Sequence, residues 1–298
     1  MTFTLAPQFR ARVRFEEPMS RHTSWHVGGP AQMFFTPESR TELAAFLSAL
    51  PLEVPVYWVG LGSNLLVRDG GLRGVVVCTH GALDRLERTG ETAVYAEAGV
   101  ACARIARQCV RWGLGPAEFF AGIPGTFGGA LAMNAGAFGG ETWRQVLEVE
   151  TIDRHGQERR RAAGEYRVSY RHVEPPAEGE WFLAARSSFE PRPAEDEGEV
   201  RELLERRRAT QPIGAWSCGS VFVNPPGDHA ARLIEASGLK GQAVGGASVS
   251  SKHANFILND GNATASDIES LIQRVRDTVA REHGVALHTE VRIVGEAR

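Results

Sequence analysis

Apolar and polar positions alternate along this chain in two rhythms, one of strands and one of helices. Residues 1–36 read as an extended arm that ends in a strand over Ala31-Gln32-Met33-Phe34-Phe35. After Pro37, Leu43, Phe46, Leu47 and Leu50 recur at helical spacing, which predicts a helix with one buried face. Val54–Val59 is a β-rich run that stops at Gly60, and Gly74–Cys78 is a second buried-strand pattern, so the first stretch reads as a small α/β unit. Further on, Ala93–Ala96 predicts a strand and Ala101–Trp112 a helix with Ile105 and Val110 inward. A glycine-dense stretch then runs from Gly113 to Gly140. Glu190–Gly198, with prolines and acidic residues, is the expected linker into a charged helix over Glu199–Ala209. In the last part, Ser266 with Glu269 forms the pattern of a capping box ahead of a stripe of Ile268, Leu271, Ile272, Val275 and Val279. The closing strand, Val285–Val294, sends Val285, Leu287, Val291 and Ile293 one way and His288, Glu290 and Arg292 the other.

Composition sets bounds on this picture. A chain of 298 residues fits two or three modest domains, and 43% hydrophobic with 23% charged residues allows each a core. A net charge of −3 argues against nucleic-acid binding as the main activity. Only Lys240 and Lys252 are lysines; the other basic residues are arginines. Cys78, Cys102, Cys109 and Cys218 form no CxxC pair, which suits a reducing compartment and offers no zinc site. The start, MTFTLAPQFRARVRF, lacks an apolar signal core, and no apolar stretch is long enough to span a bilayer. A cytoplasmic protein without membrane partners is expected.

Two glycine loops carry the first chemistry. Gly60-Leu61-Gly62-Ser63-Asn64-Leu65 follows a strand directly, and its glycines let amide N–H groups converge on an anion. It lacks the third glycine of a dinucleotide fingerprint and the Gly-Lys-Ser/Thr of a triphosphate loop, and alone it is a tight turn. The second loop is Gly122-Ile123-Pro124-Gly125-Thr126-Phe127-Gly128-Gly129-Ala130, followed by Met133-Asn134-Ala135-Gly136. So many glycines cost conformational entropy, and such a segment suits close approach of a large ligand, a diphosphate or a flat ring; a hinge between domains is the alternative.

With both loops in view the chain resembles the UDP-N-acetylenolpyruvoylglucosamine reductase family of flavoproteins. The resemblance also runs through His22-Thr23-Ser24-Trp25-His26-Val27-Gly28-Gly29-Pro30-Ala31, Tyr166-Arg167-Val168-Ser169, Cys218-Gly219-Ser220-Val221-Phe222-Val223-Asn224-Pro225, Lys252-His253-Ala254-Asn255-Phe256-Ile257-Leu258-Asn259 and Thr289-Glu290-Val291-Arg292. Each piece is weak alone; in this order they are specific and cover nearly the whole chain. The resemblance implies an α/β (α+β) architecture: an FAD-binding fold of the vanillyl-alcohol oxidase type from two subdomains, residues 1–78 and 79–195, and a C-terminal α/β substrate domain, residues 196–298. It implies bound FAD, NADPH as co-substrate, and reduction of UDP-N-acetylglucosamine enolpyruvate for peptidoglycan synthesis. The length and the Ser251-Lys252-His253-Ala254-Asn255-Phe256 segment resemble the shorter branch, which lacks an inserted tyrosine-bearing loop. Val223 departs from a lysine common in the family, and His22 and His26 stand where an asparagine and a basic residue are common.

The chemistry demands donors or positive charge around the substrate carboxylate and an acid over the neighbouring carbon. The resemblance assigns these roles to Arg167, Ser220 and Glu290. Arg167 offers a planar fork for a carboxylate, though alone it reads as a surface arginine. Ser220 is a very weak acid, suited only to a base as strong as an α-carboxylate carbanion. Glu290, if protonated in a dry site, hydrogen-bonds the developing charge; otherwise it is a strand glutamate beside Arg292. Tyr166, Asn224, Lys252 and His253 are expected contacts of substrate or NADPH. A flavin-dependent sugar or alcohol oxidase of the same fold would consume oxygen and need no Ser220. A non-catalytic sugar-nucleotide-binding protein would have no use for Arg167, Ser220 and Glu290 together.

Overall fold

The computed structural model describes residues 5–193 and 198–298. The chain divides into two compact units that take turns along the sequence: Met1–Arg14, Met33–Gly60 and Gly74–Glu205 form the first, and Phe15–Gln32, Leu61–Arg73 and Arg206–Arg298 the second.

In the first unit, helix α1 (Arg40–Ala49) starts where Ser39 accepts a hydrogen bond from the Glu42 amide, and buries Leu43, Phe46 and Leu47 as the spacing predicts. It packs on Met33, Phe35, Val75 and Val77. These belong to a sheet whose strands run in the order Val13–Pro18, Pro30–Phe35, Leu72–Cys78 and Val56–Val59, the last two parallel. The N-terminal segment is therefore not an extended arm. Residues Pro7–Arg12 form a 3-10 turn and Val13–Pro18 an edge strand. The cause is Phe9, buried edge-on against Phe46 at 5.2 Å, where Phe35 and Phe46 stack at 3.8 Å. Burying such a ring outweighs the entropy of ordering the segment.

A second sheet of this unit is antiparallel throughout, in the order Glu158–Ala162, Val146–Asp153, Glu180–Ser188, Ala93–Glu97 and Leu86–Arg88. Helix α2 (Cys102–Arg111) buries Cys102, Ile105, Ala106, Cys109 and Val110 in the same core. The glycine-dense stretch contains a short helix, α3 (Phe127–Met133), that the periodicity does not single out. Its Phe127, Ala130 and Leu131 do fall at i, i+3 and i+4 and are buried, but Gly128 and Gly129 lower its helix propensity. The expected linker is partly structured: Glu190–Pro191 pairs with Leu114–Gly115, and the Arg192 guanidinium meets Glu118 at 3.2 Å. Residues 194–197 of that linker lie outside the described residues. Helix α4 (Gly198–Thr210) follows where the charged pattern predicts it.

The second unit holds α5 (Ala230–Ala236), α6 (Ala265–His283) and a three-stranded antiparallel sheet of Ala243–Val244, Ala247–Val249 and Ile257–Asn259. The stripe of α6 is buried as predicted, on a core with Trp25, Leu66, Phe222 and Val249. Its capping box lies two residues earlier than the Ser266 and Glu269 pattern. Thr264 Oγ1 accepts from the Asp267 amide at 3.1 Å, and Asp267 accepts from the Thr264 amide at 2.9 Å. Glu269 is instead held bidentately by Arg68, and Asp69 accepts from the Ala265 and Ser266 amides at 3.0 and 2.9 Å. The closing strand is shorter than expected, Arg292–Val294, and runs parallel to Leu65–Val67. Val285, Leu287, Val291 and Ile293 are buried or half-buried and His288 and Arg292 exposed, as the alternation predicts, but Glu290 is half-buried. Backbone bonds to the segment around Phe222 replace regular pairing there.

No helix among the described residues is long and apolar enough to cross a membrane.

Candidate active site

Within the first unit lie the second glycine loop and the Tyr166–Arg167 hairpin. Gly122 and Ile123 are buried, Pro124 is exposed, and Gly125 accepts from the Cys102 amide at 2.9 Å. Thr126 bridges to Ala101, and the Phe127 and Gly128 amides donate to Val100 and Ala98, both at 2.8 Å. Several glycines are required by the chain's own packing. A Cβ on Gly60 would overlap the Thr126 side chain, so the start of the first loop and the middle of the second are neighbours. A Cβ on Gly122 would stand 2.6 Å from the Phe138 ring, and one on Gly128 would stand 2.8 Å from Ala98 Cβ. A side chain on Gly136 would meet the Gly140 carbonyl.

Gly129 differs from these. It is exposed, and the nearest atom to a Cβ there would be Thr126 Oγ1, at 3.9 Å. It lies in the first turn of α3, whose N-cap Thr126 makes no side-chain capping bond. The Phe127 and Gly128 amides of that turn are taken by Val100 and Ala98, but Gly129 presents bare main chain with no neighbour demanding the glycine, which suits the close approach of a diphosphate. The residues present therefore fit FAD.

Asn134 ends α3 in the left-handed region at φ +47°. Its Oδ1 accepts from the Trp143 amide at 3.1 Å, and its Nδ2 donates to the Ser169 carbonyl at 3.1 Å and to Glu141 at 3.3 Å. Arg167–Ser169 pairs with His172–Glu174 as a hairpin. The Arg167 side chain is 85% exposed and 3.8 Å from Glu174, so its charge is available to a ligand. Tyr166, next to it, is buried against Trp143 at 4.7 Å and Phe182 at 5.8 Å. Burial pushes its hydroxyl up to about 12.

Within the second unit lie the first loop beyond Gly60 and the Ser220 and Glu290 segments. Gly62 has φ +59°, and a Cβ there would overlap the His22 carbonyl. Its own carbonyl accepts from the Ser24 amide at 3.2 Å. Leu61 is exposed and Ser63 half-buried. Leu65 pairs with Arg292, and Asn64 Nδ2 donates to the Glu290 carbonyl at 3.0 Å. The same Asn64 accepts from the Arg292 amide at 3.1 Å.

Ser220 follows Gly219, which has φ +79°, a conformation that favours glycine. The segment after it is held on two sides. On one, the Glu290 amide donates to Val221 O at 2.8 Å and the Val223 amide to His288 O at 3.0 Å. On the other, Asn255 accepts from the Phe222 amide at 3.0 Å, donates to Phe222 O at 2.8 Å, and takes the Val221 amide on its own carbonyl at 2.9 Å. Ser220 and Glu290 are thus brought to neighbouring positions. The thiol of Cys218, two residues before Ser220, is raised well above its usual value by burial and then by the charge of Glu290. It is therefore a packing group.

Of the remaining expected contacts, Asn224 accepts from the Ala230 amide at 3.1 Å, at the start of α5. Lys252 is exposed, with its ammonium on the Arg208 carbonyl. His253 packs edge-on against Phe256 at 4.9 Å, its Nδ1 accepts from the Asn255 amide at 3.3 Å, and burial lowers its pKa. His22 meets Glu17 at 2.8 Å, and the His26 ring lies 4.5 Å from Trp216. Asn255 is absent from the residues the sequence singles out for a role, although it sits within the Lys252–Asn259 motif. Its signal is a polar residue inside the apolar run Ala254–Ile257, the usual mark of a buried hydrogen-bonding group.

Residues 31–161 match the family model described as an FAD binding domain, and residues 211–294 the model described as UDP-N-acetylenolpyruvoylglucosamine reductase, C-terminal domain. The chain is 62% identical over 287 residues to the UDP-N-acetylenolpyruvoylglucosamine reductase of Alkalilimnicola ehrlichii, covering 96% of each. It is 59% identical to the protein of that name from Methylococcus capsulatus, covering 95% of this chain and 93% of that one. Among solved structures it is similar to UDP-N-acetylenolpyruvylglucosamine reductase (MurB) from Thermus caldophilus, with a TM-score of 0.81 and 33% identity over 95% of this chain and 98% of that one.

Proposed function

Since the chain belongs to the UDP-N-acetylenolpyruvoylglucosamine reductase family, we propose that Ser220, Glu290 and Arg167 carry the proton and the charge of its reaction. The protein is an FAD-containing oxidoreductase that reduces UDP-N-acetylglucosamine enolpyruvate with NADPH in peptidoglycan precursor synthesis. FAD, when bound and first reduced by NADPH, would supply a hydride to the methylene carbon of the enolpyruvyl group. The electron pair of the double bond moves to the carbon beside the carboxylate and spreads into it. Ser220 gives its hydroxyl proton to that carbon, and solvent restores the hydroxyl. Glu290, taking up a proton in the closed site once substrate is bound, donates a hydrogen bond to the carboxylate while it bears the extra charge, and Arg167 binds the same carboxylate with its fork. Gly129, in the first turn of α3, would meet the diphosphate of FAD. A reaction that draws on NADPH and a nucleotide sugar belongs in the cytoplasm, where four buried free thiols are at home.

The observation that carries this reading is the hydrogen bond from the Glu290 amide to Val221 O, which sets Glu290 beside the residue that follows Ser220. Stopped-flow absorbance of the flavin tests it by separating the two half-reactions in Ser220→Ala. Reduction by NADPH needs no acid over the substrate carbon and should keep its rate. Reoxidation by the enolpyruvyl substrate should slow by ~10²–10⁴, the usual worth of a positioned general acid. Equal slowing of both steps would make Ser220 a structural residue, and no slowing of either would assign the proton to another group.

A further inference from the structure

Arg167 stands at the start of an exposed two-stranded hairpin, yet a carboxylate clamp must be held within a fraction of an ångström to be useful. Arg167, Val168, Ser169, Tyr170 and His172 are all exposed, and Val173 alone of the paired strands packs half-buried on the core. Two isolated strands of this length are only marginally stable by themselves. The Ser169–His172 pair closes a two-residue turn whose second residue, Arg171, has φ +57°. Arginine in the left-handed region costs roughly 1 kcal/mol, and glycine or asparagine is the usual occupant of such a position. The Arg171 side chain turns back from this strained turn to the glycine loop. Its Nη2 donates to Gly136 O at 2.9 Å and its Nη1 to Asn134 O at 3.3 Å. Asn134 completes the attachment from the other side, through Nδ2 to Ser169 O.

The loop that receives these bonds is anchored independently. The Thr142 hydroxyl donates to Ala135 O at 2.7 Å, Trp143 Nε1 to Leu131 O at 2.8 Å, and the Trp143 amide to Asn134 Oδ1 at 3.1 Å. Loss of Arg171 therefore loosens the hairpin, which keeps the Asn134 bond to Ser169 O and the packing of Val173, and leaves the loop in place.

We propose that Arg171 is a positioning residue: its guanidinium spans two carbonyls of the glycine loop and thereby fixes Arg167 for the substrate carboxylate. The proposal rests on the reading of Arg167 given above. Two donors in a rigid fork reach two carbonyls at once, which one ammonium group cannot do. The strain at Arg171 persists because the side chain is fastened at its far end, and it lies where the chemistry needs precision.

The test uses the FAD-loaded full-length enzyme with Arg171→Gly, Arg167→Ala and the double variant, and flavin absorbance in stopped flow. Glycine suits φ +57°, so Arg171→Gly should fold and keep its flavin; Arg171→Asn, also tolerant of that conformation, gives a second variant. NADPH should reduce the flavin of both at the parental rate. Reoxidation by the enolpyruvyl substrate should slow by ~10- to 100-fold, the scale of a small misplacement of a reacting partner. The double variant should be no slower than Arg167→Ala alone, because Arg171 acts only through Arg167. Full activity of both Arg171 variants beside an impaired Arg167→Ala would overturn the positioning role and leave the reading of Arg167 standing. Additive losses in the double variant, or loss of flavin from Arg171→Gly, would overturn it too. Parental activity in Arg167→Ala would instead remove the reading on which the proposal rests.

Discussion

Replacing Asn255 by alanine removes the one side chain that meets both polar groups of the Phe222 backbone. Val221 O and Val223 N are taken by Glu290 and His288, so strand geometry turns Phe222 N and O to the opposite side. There they meet the Asn255 amide, at 3.0 and 2.8 Å. Asn255 is 4% exposed and Phe222 2%, so solvent does not stand in for it. Each buried backbone group left without a partner costs about 1–3 kcal/mol, and water entering the vacated space recovers part, so the variant should lose about 2–4 kcal/mol. Urea unfolding of the flavin-loaded protein reads this as a lower midpoint at constant slope. The clamped segment begins one residue after Ser220, so flavin reoxidation by the enolpyruvyl substrate should slow more than reduction by NADPH. A stability within ~0.5 kcal/mol of the parent, the range of an inconsequential surface change, would refute the clamp. A loss of stability with both half-reactions slowed equally would keep the clamp and deny it any part in placing Ser220.

Arg167→Lys keeps the charge but not the bidentate fork, and should impair turnover of the enolpyruvyl substrate; unchanged steady-state kinetics would argue against a carboxylate clamp. Gly62→Ala and Gly129→Ala separate two reasons for glycine. The first places a Cβ against the His22 carbonyl at φ +59° and should lower the unfolding midpoint even without flavin. The second enters open space on a helix and should leave the apoprotein at least as stable while weakening FAD retention, read by flavin absorbance after dialysis.

What was legible in the sequence follows the range of the interactions responsible. The stripes of α1, α2 and α6 are set by residues three and four apart, and each buries the face its spacing predicts. The cap of α6 is also local, but two overlapping patterns compete for it. Thr264 with Asp267 prevails because Glu269 is drawn away by Arg68, some two hundred positions earlier, a partner that no local pattern reveals. The glycine loops show the same limit in their chemistry. Glycine density marks them correctly as places of close approach. At Gly60 and Gly62, however, what approaches is Thr126 and the His22 carbonyl, whereas at Gly129 the fold leaves room for something else.

The residues proposed to act were legible only through family resemblance, and the reason is physical. Ser220 and Glu290 stand seventy positions apart, and what joins them is backbone pairing between irregular segments, with no periodicity to announce it. Arg167 lies in an arginine-rich stretch where composition alone favours a surface role. The supporting residues left fainter but real traces. Asn255 is a polar residue in an apolar run, and Arg171 is an arginine in a hairpin turn where glycine or asparagine would relieve the backbone. In both cases the residue breaks a local rule, and the structure shows the compensating bonds: two to Phe222 from the first, two to the glycine loop from the second. A local rule broken at a site that binds a ligand is evidence about function, because the stability it costs has to be offset by something the chain needs held in place.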